Sequence, residues 1–187
     1  MVRPQILWAL ASMDQEQKTG EPWLIHVLPR ALNPSIAFAN INMKAHTASL
    51  WANGTHKLSW TTLAWAAEGI AQILQSPAQT ANKVVPIRAF EASQADIVSA
   101  LEKAQGTAYA ISHVEDPDAA ILRAQTSWKE RRDGASALLL VKAGFFLDGY
   151  GSNFITEGSA KVGNEFLPDL PKLQFDDVIA EVLETWA

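Results

Sequence analysis

From Ala45 onward, strand-like and helix-like segments alternate along the chain, and that alternation predicts an α/β fold. Two further observations support it. At 187 residues, 48% of them hydrophobic, the chain is long and apolar enough to bury one substantial core. The predicted helices are also punctuated by start and stop residues whose backbone preferences are strong.

Ile6 to Lys18 has the pattern of a helix, ended by Gly20 and kept from continuing by Pro22. Trp23 to Leu28 is a short apolar run between prolines and suits a buried strand. From Pro29 to Asn42, prolines and asparagines interrupt any period, and irregular structure is expected. Asn53-Gly54 is a strong hairpin signal because both residues tolerate positive φ, so Thr47 to Ala52 and Thr55 to Trp60 are expected to pair across it. Thr61 or Thr62 then caps a helix to about Gln75, with Leu63, Ala66, Ala67, Ile70, Ile73 and Leu74 on one apolar face.

Lys83 to Arg88 reads as a short strand. Ser93-Gln94-Ala95-Asp96 resembles a capping box, with Asp in place of Glu, opening a helix that closes at Gly106. Thr107 to Val114 reads as a strand. Asp116-Pro117 is a helix start: the acid accepts from free amides and proline fills the position where no donor is needed. That helix stops at Gly134, an apolar helix follows to Leu147, and Pro168 and Pro171 hold an extended connector to a last helix, Phe175 to Trp186.

Composition excludes several classes of function. The net charge of −5 and the lack of a clustered basic run argue against nucleic acid, whose phosphates need lysine and arginine gathered on one face. The nearest such run, Lys129-Glu130-Arg131-Arg132, is broken by a carboxylate and suits a solvated helix end. No segment reaches the roughly 18 apolar residues of a membrane span. With no cysteine there is no disulfide framework or thiolate site, and with no targeting signal the expected location is the cytoplasm.

Gly149-Tyr150-Gly151-Ser152-Asn153-Phe154 begins like a dinucleotide fingerprint but lacks the third glycine and follows a helix-like run, so cofactor binding there is not expected. No phosphate-binding loop, nucleophile elbow or Tyr-x-x-x-Lys pair occurs, and the four histidines offer no metal-ligand spacing. No catalytic residue, cofactor ligand or metal ligand is therefore assigned. His113, at a strand end beside Glu115 and Asp116, fits either a carboxylate-oriented site residue or an ordinary capping histidine. Phe145, Phe146, Tyr150 and Phe154 fit a wrap around a planar apolar ligand, and equally a cap over the core.

The ordered landmarks Leu58-Ser59-Trp60-Thr61-Thr62-Leu63, Ala81-Asn82-Lys83-Val84, Ser93-Gln94, Leu101-Glu102-Lys103-Ala104 and His113-Val114 continue through Phe145 to Phe154, Asn164-Glu165 and Asp176 to Leu183. In that order they resemble the C-terminal part of the fungal NmrA-like and isoflavone-reductase-like proteins, atypical short-chain dehydrogenases. The resemblance implies a substrate domain over residues 45–187, preceded by a weakly matching segment over 1–44. The N-terminal Rossmann half that binds NADP(H) in the family would be missing. It further implies oxidoreductase descent in fungal secondary metabolism and a small aromatic or polyketide-like substrate. The alternatives are a non-catalytic regulatory module, which would bind a partner or itself through the surface facing the absent half, and a degenerate remnant.

Overall fold

The computed structural model describes residues 28–34, 38–82, 85–150, 152–153 and 163–186, and over these the chain is a mixed α/β structure. The helix expected at Ile6 to Lys18 and all but the last residue of the strand expected at Trp23 to Leu28 lie outside them. The elements are α1 (Leu28–Ala31), β1 (Ile41–Asn42), β2 (Thr47–Leu50), β3 (Lys57–Trp60), α2 (Leu63–Gln75), α3 (Pro77–Thr80), β4 (Phe90–Ser93), α4 (Gln94–Gln105), β5 (Ala110–His113), α5 (Pro117–Arg131), α6 (Gly134–Phe146), a short 3-10 turn (Gly163–Phe166) and α7 (Phe175–Trp186). Within the stretch expected to be irregular, α1 and β1 therefore provide short regular structure.

Two small sheets replace the expected hairpin. β2 lies between β1, antiparallel to it, and β5, parallel to it, with Leu50 opposite His113. β3 pairs instead with β4, antiparallel, with Trp60 opposite Phe90. The reason is that both edges of β2 are already occupied, so the chain leaving it must turn away. Asn53-Gly54 makes that turn: the Gly54 amide donates to the Trp51 carbonyl at 2.8 Å, and the Asn53 side chain accepts from the Thr55 amide at 3.2 Å. The turn signal was legible, but not what it connected.

The second displaced strand has a similar cause. Lys83 and Val84 of the expected strand lie outside the described residues; residues 85–88 form no ladder, and the 3-10 turn takes up the Pro86 carbonyl and the Arg88 amide and carbonyl. Asn164 accepts from the Arg88 amide at 3.1 Å and donates to the Arg88 carbonyl at 2.6 Å, and the Gly163 amide donates to the Pro86 carbonyl. A Cβ at Gly163 would overlap the Val85 side chain, so the approach requires glycine.

Helix starts follow the sequence closely. Thr62 caps α2 by accepting from the Trp65 amide, and Ser93 and Asp96 form a complete capping box on α4, which ends at Gly106 in the left-handed region. Asp116 caps α5. Asp133 caps α6 through the Ser136 amide at 2.8 Å while accepting from the Ser127 hydroxyl at 2.7 Å, joining α5 and α6 at their hinge. The basic end of α5 is exposed, with Arg132 over the Trp128 ring at 5.2 Å.

Leu28, Leu50, Leu58, Trp60, Ile97, Leu101, Phe146 and Ile179 are fully buried and build one core from both sheets and helices α1, α4, α6 and α7. Trp51, Trp60 and Trp65 are all buried, as packing residues. α2 is turned from the expected orientation: it buries Trp65, Ala66 and Gly69, leaving Leu63 and Leu74 at 70% and 75% exposed. Gly69 permits this by admitting the Ile87 side chain against the helix, and the Trp65 indole N–H holds it by donating to the Pro171 carbonyl at 2.6 Å.

Gln94 is buried and joins three segments, accepting from the Trp51 amide at 2.8 Å and donating to the Ala39 carbonyl at 2.9 Å. Gln94→Leu, which strands both groups, is expected to lower unfolding free energy by about 1–3 kcal/mol in urea titrations. At the other hinge, hydrogen bonds from Ser127 and Ser136 lower the Asp133 pKa to about 2. A depressed acid stabilises the fold fully above the usual carboxylate range and loses that contribution as pH falls toward about 2. Asp133→Asn is accordingly expected to flatten the acid side of the stability curve between about pH 4 and 2, as followed by circular dichroism.

Candidate functional site

The glycine-rich segment after α6 is positioned by the end of that helix and by the start of β3. Phe145 and Phe146 close α6, and Phe38 meets both rings, edge-on to Phe145 at 5.0 Å and tilted to Phe146 at 5.8 Å. Phe146 is fully buried, whereas Phe145 and Tyr150 are partly buried against the core. Phe146 is thus a core residue, leaving Phe145 and Tyr150 as the partly accessible aromatics. Phe154 lies outside the described residues.

Beyond the helix, Gly149 has φ +83°, which releases the chain from the helical direction. Ser152 is then fastened to β3: its carbonyl accepts from the Ser59 amide at 3.1 Å and its hydroxyl lies 2.9 Å from His56 Nε2. Asp148 Oδ1 stands 3.8 Å from the other ring nitrogen of His56.

A serine, a histidine and a carboxylate in this order suggest nucleophilic catalysis, but the proton arrangement opposes it. The Ser152 hydroxyl donates to the Phe145 carbonyl at 2.8 Å, so His56 Nε2 serves it as a donor rather than as a base. The Asp148 contact is too long for the hydrogen bond that would orient a catalytic imidazole. Ser152 is also only 3% exposed. His56 and Ser152 therefore act as a fastening between the glycine segment and β3. Sequence reasoning missed this pair because 96 residues separate them: Ser152 reads only within the glycine motif, and nothing local points from it to His56.

Where it is described, the same segment presents no helix N-terminus to a phosphate. It follows the C-terminal end of α6, where the helix dipole is unfavourable to anions, and both Ser152 and Asn153 are buried.

Lys142 lies one helical turn before Phe145 on α6 and donates to the Asn40 side chain at 2.7 Å. Burial lowers its pKa. Asn40 itself has φ +55°, an uncommon conformation that asparagine tolerates. His113 is exposed, and its ring is oriented by the Ala52 carbonyl at 2.7 Å rather than by a carboxylate, since Asp116 caps α5. It thus has contacts separate from those of the aromatic group, and the Ala52 carbonyl stands where one of the two readings open for it would put a carboxylate.

Elsewhere, a cavity of about 450 Å³ opens between α2, the connector after the 3-10 turn and α7. Its floor is Trp65 and Val178, and none of His113, Phe145, Phe146 and Tyr150 lines it. Among the described residues no group of three or more histidine, aspartate or glutamate side chains could hold a metal ion, and no helix is long and apolar enough to cross a membrane.

Over 171 residues the chain is 29% identical to a curated protein of Aspergillus flavus named oxidoreductase aprR. The match covers 90% of this chain and 56% of that protein, so the chain spans about half the length of the curated relative. No family model matches the chain, and no solved structure matches it.

If His56 fastens the glycine segment, His56→Ala should raise the rate of limited proteolysis within residues 147–153 several-fold, with far-UV circular dichroism little changed. Unchanged cleavage there would mean that the backbone bond from Ser59 suffices.

Proposed function

We propose that this chain is the substrate-shaping part of an oxidoreductase of the NmrA-like and isoflavone-reductase-like group. The observation that carries the reading is the similarity to the Aspergillus flavus oxidoreductase across nine-tenths of this chain. On this reading the full-length relatives use NADP(H) and the substrate is a small aromatic or polyketide-like molecule of fungal secondary metabolism, handled in the cytoplasm.

Hydride transfer requires a nicotinamide held against the substrate carbon, which is a matter of positioning. The substrate domain contributes apolar walls. Phe145, edge-on to Phe38, and Tyr150, partly buried against the core, are the residues suited to contact a planar substrate, with Phe154 as a further candidate. No residue of this chain is assigned a proton-transfer or hydride-transfer role, and no nucleotide site is assigned within it.

The test is to titrate the folded chain with a panel of small aromatic ketones, and with NADPH in parallel, following quenching of its seven tryptophans. Saturable binding of an aromatic ketone, weakened roughly tenfold by Tyr150→Ala, is the expected result. A folded chain that binds none of the panel would sink the substrate-domain reading, whereas micromolar NADPH binding would move the nucleotide site into this chain.

A binding or regulatory module is the second reading, favoured by the exposed row Leu63, Ile70 and Leu74 on α2. It predicts concentration-dependent self-association or capture of a protein partner. A monomer in sedimentation velocity that Leu74→Lys leaves unchanged, and that recovers no partner, would count against it.

A further inference from the structure

We infer that the cavity between α2 and α7 binds a small organic cation with an apolar body. The inference is independent of the oxidoreductase reading and concerns residues with no part in the aromatic group. At about 450 Å³ the cavity lies in the size range of small-molecule sites. Trp65 and Val178, both almost fully buried, give it an apolar floor. The Trp65 ring is fixed in place because its N–H is committed to the Pro171 carbonyl at 2.6 Å.

Its walls decide the ligand class. Glu68 on α2, Asp169 on the connector, and Asp177 and Glu181 on α7 all line the cavity; among the described residues no lysine, arginine or histidine lines it, and the nearest in sequence, Lys172, falls between the lining residues Pro171 and Leu173. Asp177 and Glu181 stand four residues apart on one helix face, a spacing at which like charges repel. The lysine across from this helix, Lys103, pairs with Asp176 at 2.8 Å. Three separate elements thus present acidic groups to one apolar hollow, which favours a cation there.

The distribution of these acids also separates the possible cations. No three of them stand close enough together to hold a metal ion among the described residues. A bare divalent ion would lack its ligand set, whereas a protonated amine carried on an aromatic or aliphatic body can fill the floor and meet the acidic rim together.

The test is isothermal titration of the full chain with 2-phenylethylamine, with 2-phenylethanol as the neutral counterpart and magnesium chloride as the metal probe. The expected result is saturable amine binding at least tenfold tighter than that of the alcohol and weakened by added salt. The double variant Glu68→Gln with Glu181→Gln should weaken it by about a further tenfold. Equal binding of amine and alcohol, no saturable heat from a folded chain, or amine binding unaffected by the double variant would each overturn the proposal, as would magnesium binding in place of the amine. If the double variant fails to fold, Asp169→Asn in the connector carries the same test. An unaltered chain that binds an aromatic ketone but not the amine would sink this proposal alone; one that binds the amine but no aromatic ketone would sink the substrate-domain reading alone.

Discussion

The two hydrogen bonds of the Gln94 side chain are the constraint on which the rest of the arrangement depends. Its amide reaches the carbonyl of Ala39 ahead of β1 and the amide of Trp51 after β2, while Gln94 itself opens α4 directly after β4. One buried side chain therefore ties the ends of β1 and β2 in the first sheet to the junction of β4 and α4. The next residue reinforces it: the Ala95 amide donates to the Gly54 carbonyl at 2.9 Å, giving a free helix-start donor a partner from the turn between the sheets. An amide satisfied at both ends in a dry interior is directional in a way that apolar packing is not.

The glycine-rich region extends the same logic to the other side of the molecule. Its two described ends are fastened by polar side chains on different elements, Ser152 to His56 and β3, Asn164 to the backbone of Arg88. Both anchors substitute for strand pairing. Asn164 in particular offers an acceptor and a donor to one residue's backbone, satisfying both polar groups of Arg88 where no strand pairs with it. The glycine at 163 is required by contact, since the chain passes against Val85 and Pro86 with no room for a side chain.

These anchors leave two regions suited to ligands, and they differ in character. At the end of α6 the surroundings are aromatic, with a half-buried lysine one turn away whose charge is made less favourable by burial. Between α2 and α7 the floor is apolar and the rim acidic. The rotation of α2 creates the second region. By burying Trp65 and Gly69, the helix brings Glu68 to the cavity and leaves Leu63, Ile70 and Leu74 exposed on its outer face.

Local signals were legible wherever a few neighbouring residues settle the energetics. The caps at Thr62, Ser93 and Asp116, the left-handed stop at Gly106 and the span of α7 follow from backbone preference and side chains within three or four residues. The aromatic character of the α6 terminus was legible for the same reason. What only the tertiary structure decided were partnerships: β2 with β5 rather than β3, Asn164 with Arg88, His56 with Ser152, His113 with Ala52, and which face of α2 turns inward. The apolar period of α2 offered a plausible face, but a glycine gap filled by Ile87 and an indole bonded across 106 residues selected another. Hydrophobic periodicity states how much a helix can bury; shape and hydrogen-bond complementarity with distant segments determine which side it buries.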